Sequence, residues 1–239
     1  MSGFWESWEF LPFLLGGLRV TIEVTVTALL IAVPTAFILA FGRMSRFAAI
    51  RWVSATFVEV FRGTSALVQL FWAYYVLPFF GVELSPFLAG VLVLGLNEGS
   101  YFSEMVRPSL QSVLAGQRDA CVSLHLPKLY RFFAVMLPQS LPVLIPPFAN
   151  TAVDMLKFSS LVSLVTLQDL SYRASMVRSS TGASELVFGA VLVIYFLMSL
   201  GIVGVLRQCE QSVVRWAGRS PMQSDKPMRT SVPKWALGR

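Results

Sequence analysis

Histidine, cysteine and charge are all scarce in this sequence, and each scarcity removes a class of function. His125 is the only histidine, and the two cysteines, Cys121 and Cys209, stand far apart without metal-ligand spacing. Neither a zinc site nor a disulfide framework is supported. No Gly-x-x-x-x-Gly-Lys-Ser/Thr phosphate loop occurs, and no Gly-Lys pair of any kind, so a nucleotide site of that type is excluded. No acids and histidines converge with catalytic or metal spacing. Charged residues make up 13% of the 239 residues and hydrophobic ones 55%, which leaves too little polar surface to clothe a soluble globule. Lipid is the solvent that suits it. The net charge of +6 would suit nucleic acid, but the placement of the basic residues is accounted for by a membrane.

A membrane helix needs about 20 largely apolar residues to cross roughly 30 Å of hydrocarbon. Five segments approach this: about Val20 to Gly42, Val53 to Phe80, Pro86 to Val106, Leu141 to Leu156 and Leu186 to Leu206. The fourth is short and interrupted by Pro142, Pro146 and Pro147, which a spanning helix tolerates when neighbours re-satisfy the freed carbonyls. It belongs inside a bundle. The fifth is uniformly apolar and is the clearest span. Beyond Lys157, short apolar stretches leave open a partial return into the bilayer.

Of the 19 basic residues, 14 follow spans one, three and five, beginning at Arg43, Arg107 and Arg207. Basic residues concentrate on the cytoplasmic side, so the N-terminus is expected outside and the C-terminus in the cytoplasm. A start carrying Glu6 and Glu9 without a basic stretch fits that orientation and argues against a cleaved signal peptide. Residues 1–218 read as a single transmembrane domain. Residues 219–239 are polar, with Pro221, Pro227 and Pro233, and read as a disordered cytoplasmic tail.

Between spans three and four, residues 108–137 are too polar for the membrane and too long for a turn. Good helix formers over Gln111 to Leu124, and a second start after Pro127, predict helix, turn, helix near the membrane surface. Within this stretch, Gly116-Gln-Arg-Asp119-Ala120-Cys121-Val-Ser-Leu-His125, nine further residues and Val135-Met-Leu137-Pro138 resemble the EAA loop of binding-protein-dependent ABC permeases. That pattern is E-A-A, three residues, G, nine residues, I-x-L-P. Asp119 stands for Glu, Cys121 for Ala, His125 for Gly and Val135 for Ile. The His125 change is the largest, because glycine bends the chain freely and histidine does not.

The resemblance runs from span one nearly to span five and points to the polar amino-acid branch. Glu59-Val-Phe-Arg62-Gly63-Thr64 through Gln69-Leu is similar to E-x-x-R-G-T-P-L-L-V-Q-L, with Ser65 in place of proline. Leu96-Asn97-Glu98-Gly99-Ser100-Tyr101 with Glu104 and Arg107 is similar to L-N-x-x-A-Y-x-x-E-x-x-R. Leu137-Pro138-Gln139, Pro146-Pro147 with Asn150, and Leu156-Lys157 with Ser160-Leu161 follow L-P-Q, P-P-x-x-N and L-K-D-T-S-L. Four such motifs in order are a strong signal.

The resemblance implies an all-α polytopic fold, the type I ABC importer transmembrane domain, with five transmembrane helices and a cytoplasmic coupling-helix loop. It implies a bacterial inner-membrane location and a second permease subunit, in a homodimer or a paralogue heterodimer. Two ATPase subunits would bind ATP and Mg, and a periplasmic or lipid-anchored solute-binding protein would deliver solute. This chain would hold no cofactor, contact lipid but no nucleic acid, and do no covalent chemistry. Gly116, Asp119, Ala120, Cys121, Leu124, His125 and Leu126 would form the ATPase contact.

Charges at mid-membrane are costly and face a bundle interior or a wet cavity, which makes Glu98 and Asp154 the informative side chains. Asn150, Asp154 and Lys157 fall at i, i+4 and i+7, on one helix face. Asp154 either pairs with Lys157 or meets solute. Glu98 either fixes packing by an internal hydrogen bond or meets solute, and Gly95 and Gly99 would let a helix approach closely. On the functional reading, Glu98 and Asp154 meet the cationic part of a solute, while Asn97, Tyr101, Asn150, Gln69, Glu23 and Thr21 complete the path. Phe158 stands where the branch has aspartate. It either packs or offers its face to an amidinium or quaternary nitrogen, which would favour a compatible solute such as ectoine. The function expected is therefore an ABC-importer permease for an amino acid or related small zwitterion, working by alternating access. The alternative is a passive channel or pore without an ATPase, which has no need of a patterned loop.

Overall fold

The computed structural model describes residues 10–113 and 115–216, and the regular elements among them are all helices. Both the N-terminal acids Glu6 and Glu9 and the 219–239 tail lie outside the described residues. In chain order the helices are α1 (Leu11–Arg43), α2 (Ala48–Gly63), α3 (Ala66–Phe71), α4 (Pro86–Gln111), α5 (Ala115–Ser123), α6 (Lys128–Tyr130), α7 (Leu137–Phe158), α8 (Leu170–Thr181) and α9 (Ser184–Trp216). A wider π-type turn, Trp72–Val76, and a 3-10 turn, Leu77–Phe80, extend α3.

The expected spans correspond to α1, α2 with α3, α4, α7 and α9. Three stretches among the described residues are long and apolar enough to cross a membrane: Pro12–Arg43, Lys128–Val165 and Ser184–Arg215. The other two fall short for physical reasons. The second is broken in two, and α4 is the interior helix, burying Asn97, Glu98, Ser100, Ser103 and Ser109 alongside its apolar residues. A helix enclosed by protein need not be apolar all round, because its neighbours take the place of lipid.

Helices α1 and α4 run side by side in the same direction. A Cβ on Gly95 would fall 3.0 Å from Ala28 O, and one on Gly99 would fall 2.9 Å from Ala32 O. Small residues at four-residue spacing on both helices therefore let the backbones touch, as membrane helices do when no hydrophobic effect drives them together. Val24, Ala28, Ala32, Leu94 and Met155 build the core around this seam, and Ala36, Ala40, Phe102, Val106 and Leu144 continue it toward the loop end, where Arg43 and Gln111 lie.

The break in the second span falls at Gly63-Thr64-Ser65, where Thr64 and Ser65 turn extended. A helix end inside a bundle exposes carbonyls that must find donors. Gln69 Nε2 donates to Phe61 O at 2.9 Å and to Thr64 Oγ1 at 2.7 Å, and Asn97 Nδ2 donates to Phe61 O at 2.9 Å and to Gln69 Oε1 at 3.1 Å. Two side-chain amides thus stand in for the interrupted helical ladder.

At the opposite end, α8 seals the bundle. Asp169 caps it, Oδ1 accepting from Tyr172 N–H at 2.8 Å, and Leu170 N–H donates to Thr21 Oγ1 of α1 at 3.2 Å. Gly17 permits this approach, since a Cβ there would sit 2.8 Å from Asp169 O. The segment after Lys157 is thus a 3-10 turn, Ser159–Val165, leading to a helix of 12 residues.

Candidate functional site

Helical periodicity lines up the polar residues of α4 and α7. Asn97, Glu98, Tyr101, Asn150, Asp154 and Phe158 line one cavity of about 710 Å³, and the α2–α3 break adds Arg62, Thr64 and Ser65 to its wall. Glu98 is 4% exposed. Its carboxylate has no ion-pair or hydrogen-bond partner among the described residues. Asp154 pairs with Lys157 at 3.2 Å, both side chains being more than half exposed, an arrangement worth well under about 1 kcal/mol. The pair leaves Asp154 free to exchange partners.

Toward the loop end the cavity closes on Glu104, whose Oε1 meets Arg43 from α1 and, at 3.3 Å, Arg62 from α2. Arg62 lies over the Tyr101 ring, 5.2 Å from its centroid, and Tyr101 OH donates to Arg62 O at 3.1 Å. Three helices are thereby tied to one carboxylate. The roles of Arg62 and Glu104 were not legible from spacing, although Arg62 is the single basic residue inside an expected span, and that position is itself a signal.

Three residues expected on the solute path do not line this cavity. Glu23 sits on the outer face of α1, paired with Arg19 at 2.7 Å, because residues 23 and 19 share a face four apart. Gln69 does not line the cavity; its amide is engaged by the helix break. Asn97 touches both, lining the cavity while its Nδ2 holds the same break. Thr21 is buried under α8 rather than along the cavity.

The loop forms as a helix and a turn, with one change. After the turn, α6 does not stand alone but runs through a π-type stretch, Arg131–Met136, directly into α7. In α5 and the turn, Gly116, Asp119, Ala120, Leu124 and His125 are exposed, Leu126 is half-buried, and Cys121 alone is buried. Cys121 therefore faces the protein and not outward with its neighbours. His125 takes the left-handed conformation at φ 52°, with its N–H on Val122 O at 2.9 Å and the Leu126 N–H on Cys121 O at 3.2 Å. This is the Schellman closure that usually employs glycine. His125 makes the turn glycine would make, at a cost in strain of about 1 kcal/mol. His125→Gly is accordingly expected to stabilise the turn by about 0.5 kcal/mol after glycine's extra unfolded-state entropy is subtracted. Slower hydrogen exchange at the Leu126 amide, about twofold, would show it; faster exchange would contradict the strain.

The chain matches the model of the binding-protein-dependent transport system inner membrane component over residues 32–213. It is 38% identical over 208 residues to the probable amino-acid ABC transporter permease protein y4tF of Sinorhizobium fredii, covering 84% of this chain and 87% of that one. It is also 38% identical over 187 residues to the L-cystine transport system permease protein TcyB of Bacillus subtilis, covering 78% and 77%. The chain belongs to this permease family. A crystal structure of an amino acid ABC transporter with histidines shares its fold at a TM-score of 0.80 and 32% identity, over 87% of this chain and 98% of that one. The permease is thus an integral inner-membrane component of an ABC importer, and its all-helical fold is that of type I importer transmembrane domains.

Proposed function

We propose that this permease forms, with a second identical or paralogous subunit, the route by which an amino acid or related small zwitterion crosses the membrane. Two separate ATPase subunits carry ATP and Mg and dock on α5 and its turn, and a periplasmic or lipid-anchored protein delivers the solute. The N-terminus lies outside and the loop in the cytoplasm, in keeping with the 14 basic residues that follow alternate spans. Cavity access then alternates between the two faces. The amino-acid permeases among its relatives support this solute class.

The observation that carries the reading is the unpartnered Glu98 carboxylate at the wall of a cavity inside a membrane bundle. A charge held there without a partner is costly, and a cationic solute relieves that cost. Phe158, 38% exposed and on the same wall, supplies a ring face to the same cation. ATP-dependent uptake in vesicles tests it. Glu98→Gln should lower uptake efficiency about tenfold or more, the loss of one desolvated charge contact. Asp154→Asn should lower it less, about twofold, because Asp154 is half-exposed and already paired. Unchanged affinity and rate in both would remove the acids from the pathway.

A further inference from the structure

The charges around the cavity are separated along its length. At the loop end, two guanidiniums, Arg43 and Arg62, surround one carboxylate, Glu104, which leaves one positive charge unbalanced. Beside α7, Asp154 pairs with Lys157, while Glu98 on the same cavity wall has no counter-charge, which leaves one negative charge unbalanced. Glu98 and Glu104 stand six residues apart on α4, so the two ends lie about 9 Å apart along the helix. Among the described residues, Arg62 is the only basic one on the cavity wall. Its guanidinium is braced by the Tyr101 ring on one side and Glu104 on the other, yet the side chain keeps 36% of its surface exposed.

We infer that Arg62 is the carboxylate anchor of the pathway: the solute lies lengthwise, its carboxylate on the Arg62 guanidinium and its cationic group toward Glu98. This rests on the cavity being the solute site. A guanidinium presents five donors in a fixed fork, so it can keep one edge on Glu104 and offer another to a carboxylate. Stacking on Tyr101 and the ion pair hold that fork in place before solute arrives, which reduces the ordering cost of binding. Arg62 is held at Tyr101 and Glu104, further along α4 than Glu98, so the two groups stand at separate levels of the cavity, which favours solutes whose carboxylate and cation are several bonds apart, such as basic amino acids, over those carrying both groups on one carbon.

The test compares amino acids with their decarboxylated counterparts in the permease–ATPase complex reconstituted in nanodiscs. Equilibrium binding of labelled L-arginine and L-histidine is measured with agmatine and histamine as competitors. In the wild type each amino acid should bind about tenfold or more tightly than its amine, the difference made by one charge-assisted contact. Arg62→Gln should erase that preference by weakening the amino acids about tenfold while leaving the amines within about twofold. Arg62→Lys should keep part of it. Glu104→Gln, which removes one brace but leaves Arg62 stacked on Tyr101, should keep most of it. A preference that survives Arg62→Gln overturns the assignment. So does equal loss for amino acids and amines, or loss of the preference in Glu104→Gln, since either would make Arg62 a brace for the bundle only. Failure of all four probes to bind the wild type would instead overturn the cavity as a solute site, and the anchor with it.

Discussion

Ala120→Arg is expected to release the ATPase subunits and reduce ATP-driven uptake by about 100-fold or more, without lowering the melting temperature of the permease itself. Ala120 is exposed on a helix whose only buried described side chain is Cys121, so an arginine there meets no part of its own chain. On the proposed contact, the surface it would meet is that of the ATPase. A small side chain at the centre of a docked helix permits close approach, and an inserted arginine must be desolvated without a counter-charge, which costs at least about 3 kcal/mol. Co-purification of the ATPase from detergent, measured beside uptake, reads both effects. Retention of the ATPase at wild-type stoichiometry would show that α5 is not the contact. A passive pore would keep its flux under this substitution, so the same measurement separates the two readings. Cys121→Arg gives the converse control: because Cys121 is 7% exposed, it should lower the melting temperature as well.

The second large effect is structural. Gly99→Leu should destabilise the isolated permease by about 3 kcal/mol or more, enough to prevent recovery of a folded peak from detergent. Even the first carbon of the new side chain would fall 2.9 Å from Ala32 O and 2.9 Å from Thr35 Cβ, and backbone cannot yield as a flexible side chain can. Gly189→Leu on α9, where an added Cβ meets nothing within 4 Å, should shift stability by no more than about 0.5 kcal/mol. Equal tolerance of the two would mean that α1 and α4 are not in backbone contact. The size of the effect follows from the absence of a hydrophobic drive in lipid, where close packing carries what water exclusion carries elsewhere.

Much of the architecture was legible because lipid imposes a length and a polarity on each helix. Residues 20–42, 86–106 and 186–206 were recognisable as helices, although each runs further than its apolar stretch: α1 begins at Leu11, α4 continues to Gln111 and α9 to Trp216. Asn150 and Asp154, four apart, were assigned to one face, and they share a cavity with Glu98. The break at Gly63–Ser65 was not legible, because Val53 to Phe80 reads as one span, with Glu59, Arg62, Gly63, Thr64 and Ser65 inside it, and the polar residues alone do not say that the helix stops there. What makes the break tolerable is an amide on Asn97, 36 residues beyond the Phe61 carbonyl it serves. Gln69 was assigned to the solute path for the same reason: polarity inside a span marks a residue that must be satisfied, but not whether backbone or cargo satisfies it. Arg62 is the one basic residue within the five expected spans, and only the meeting of α2 with α4 gives it a position at the cavity.

A continuous rod bends only by melting part of its own ladder. The two half-rods α2 and α3 meet instead through a short extended joint at the depth of the cavity, where the soft backbone torsions of each residue can absorb rotation. The clasp of Gln69 and Asn97 on Phe61 O, with Tyr101 OH on Arg62 O, holds the joint in one setting. The half-rod α2, which carries Arg62 in its last turn, therefore ends level with the cavity, so a rotation about the joint would move Arg62 along the cavity wall while both helices stayed fully wound.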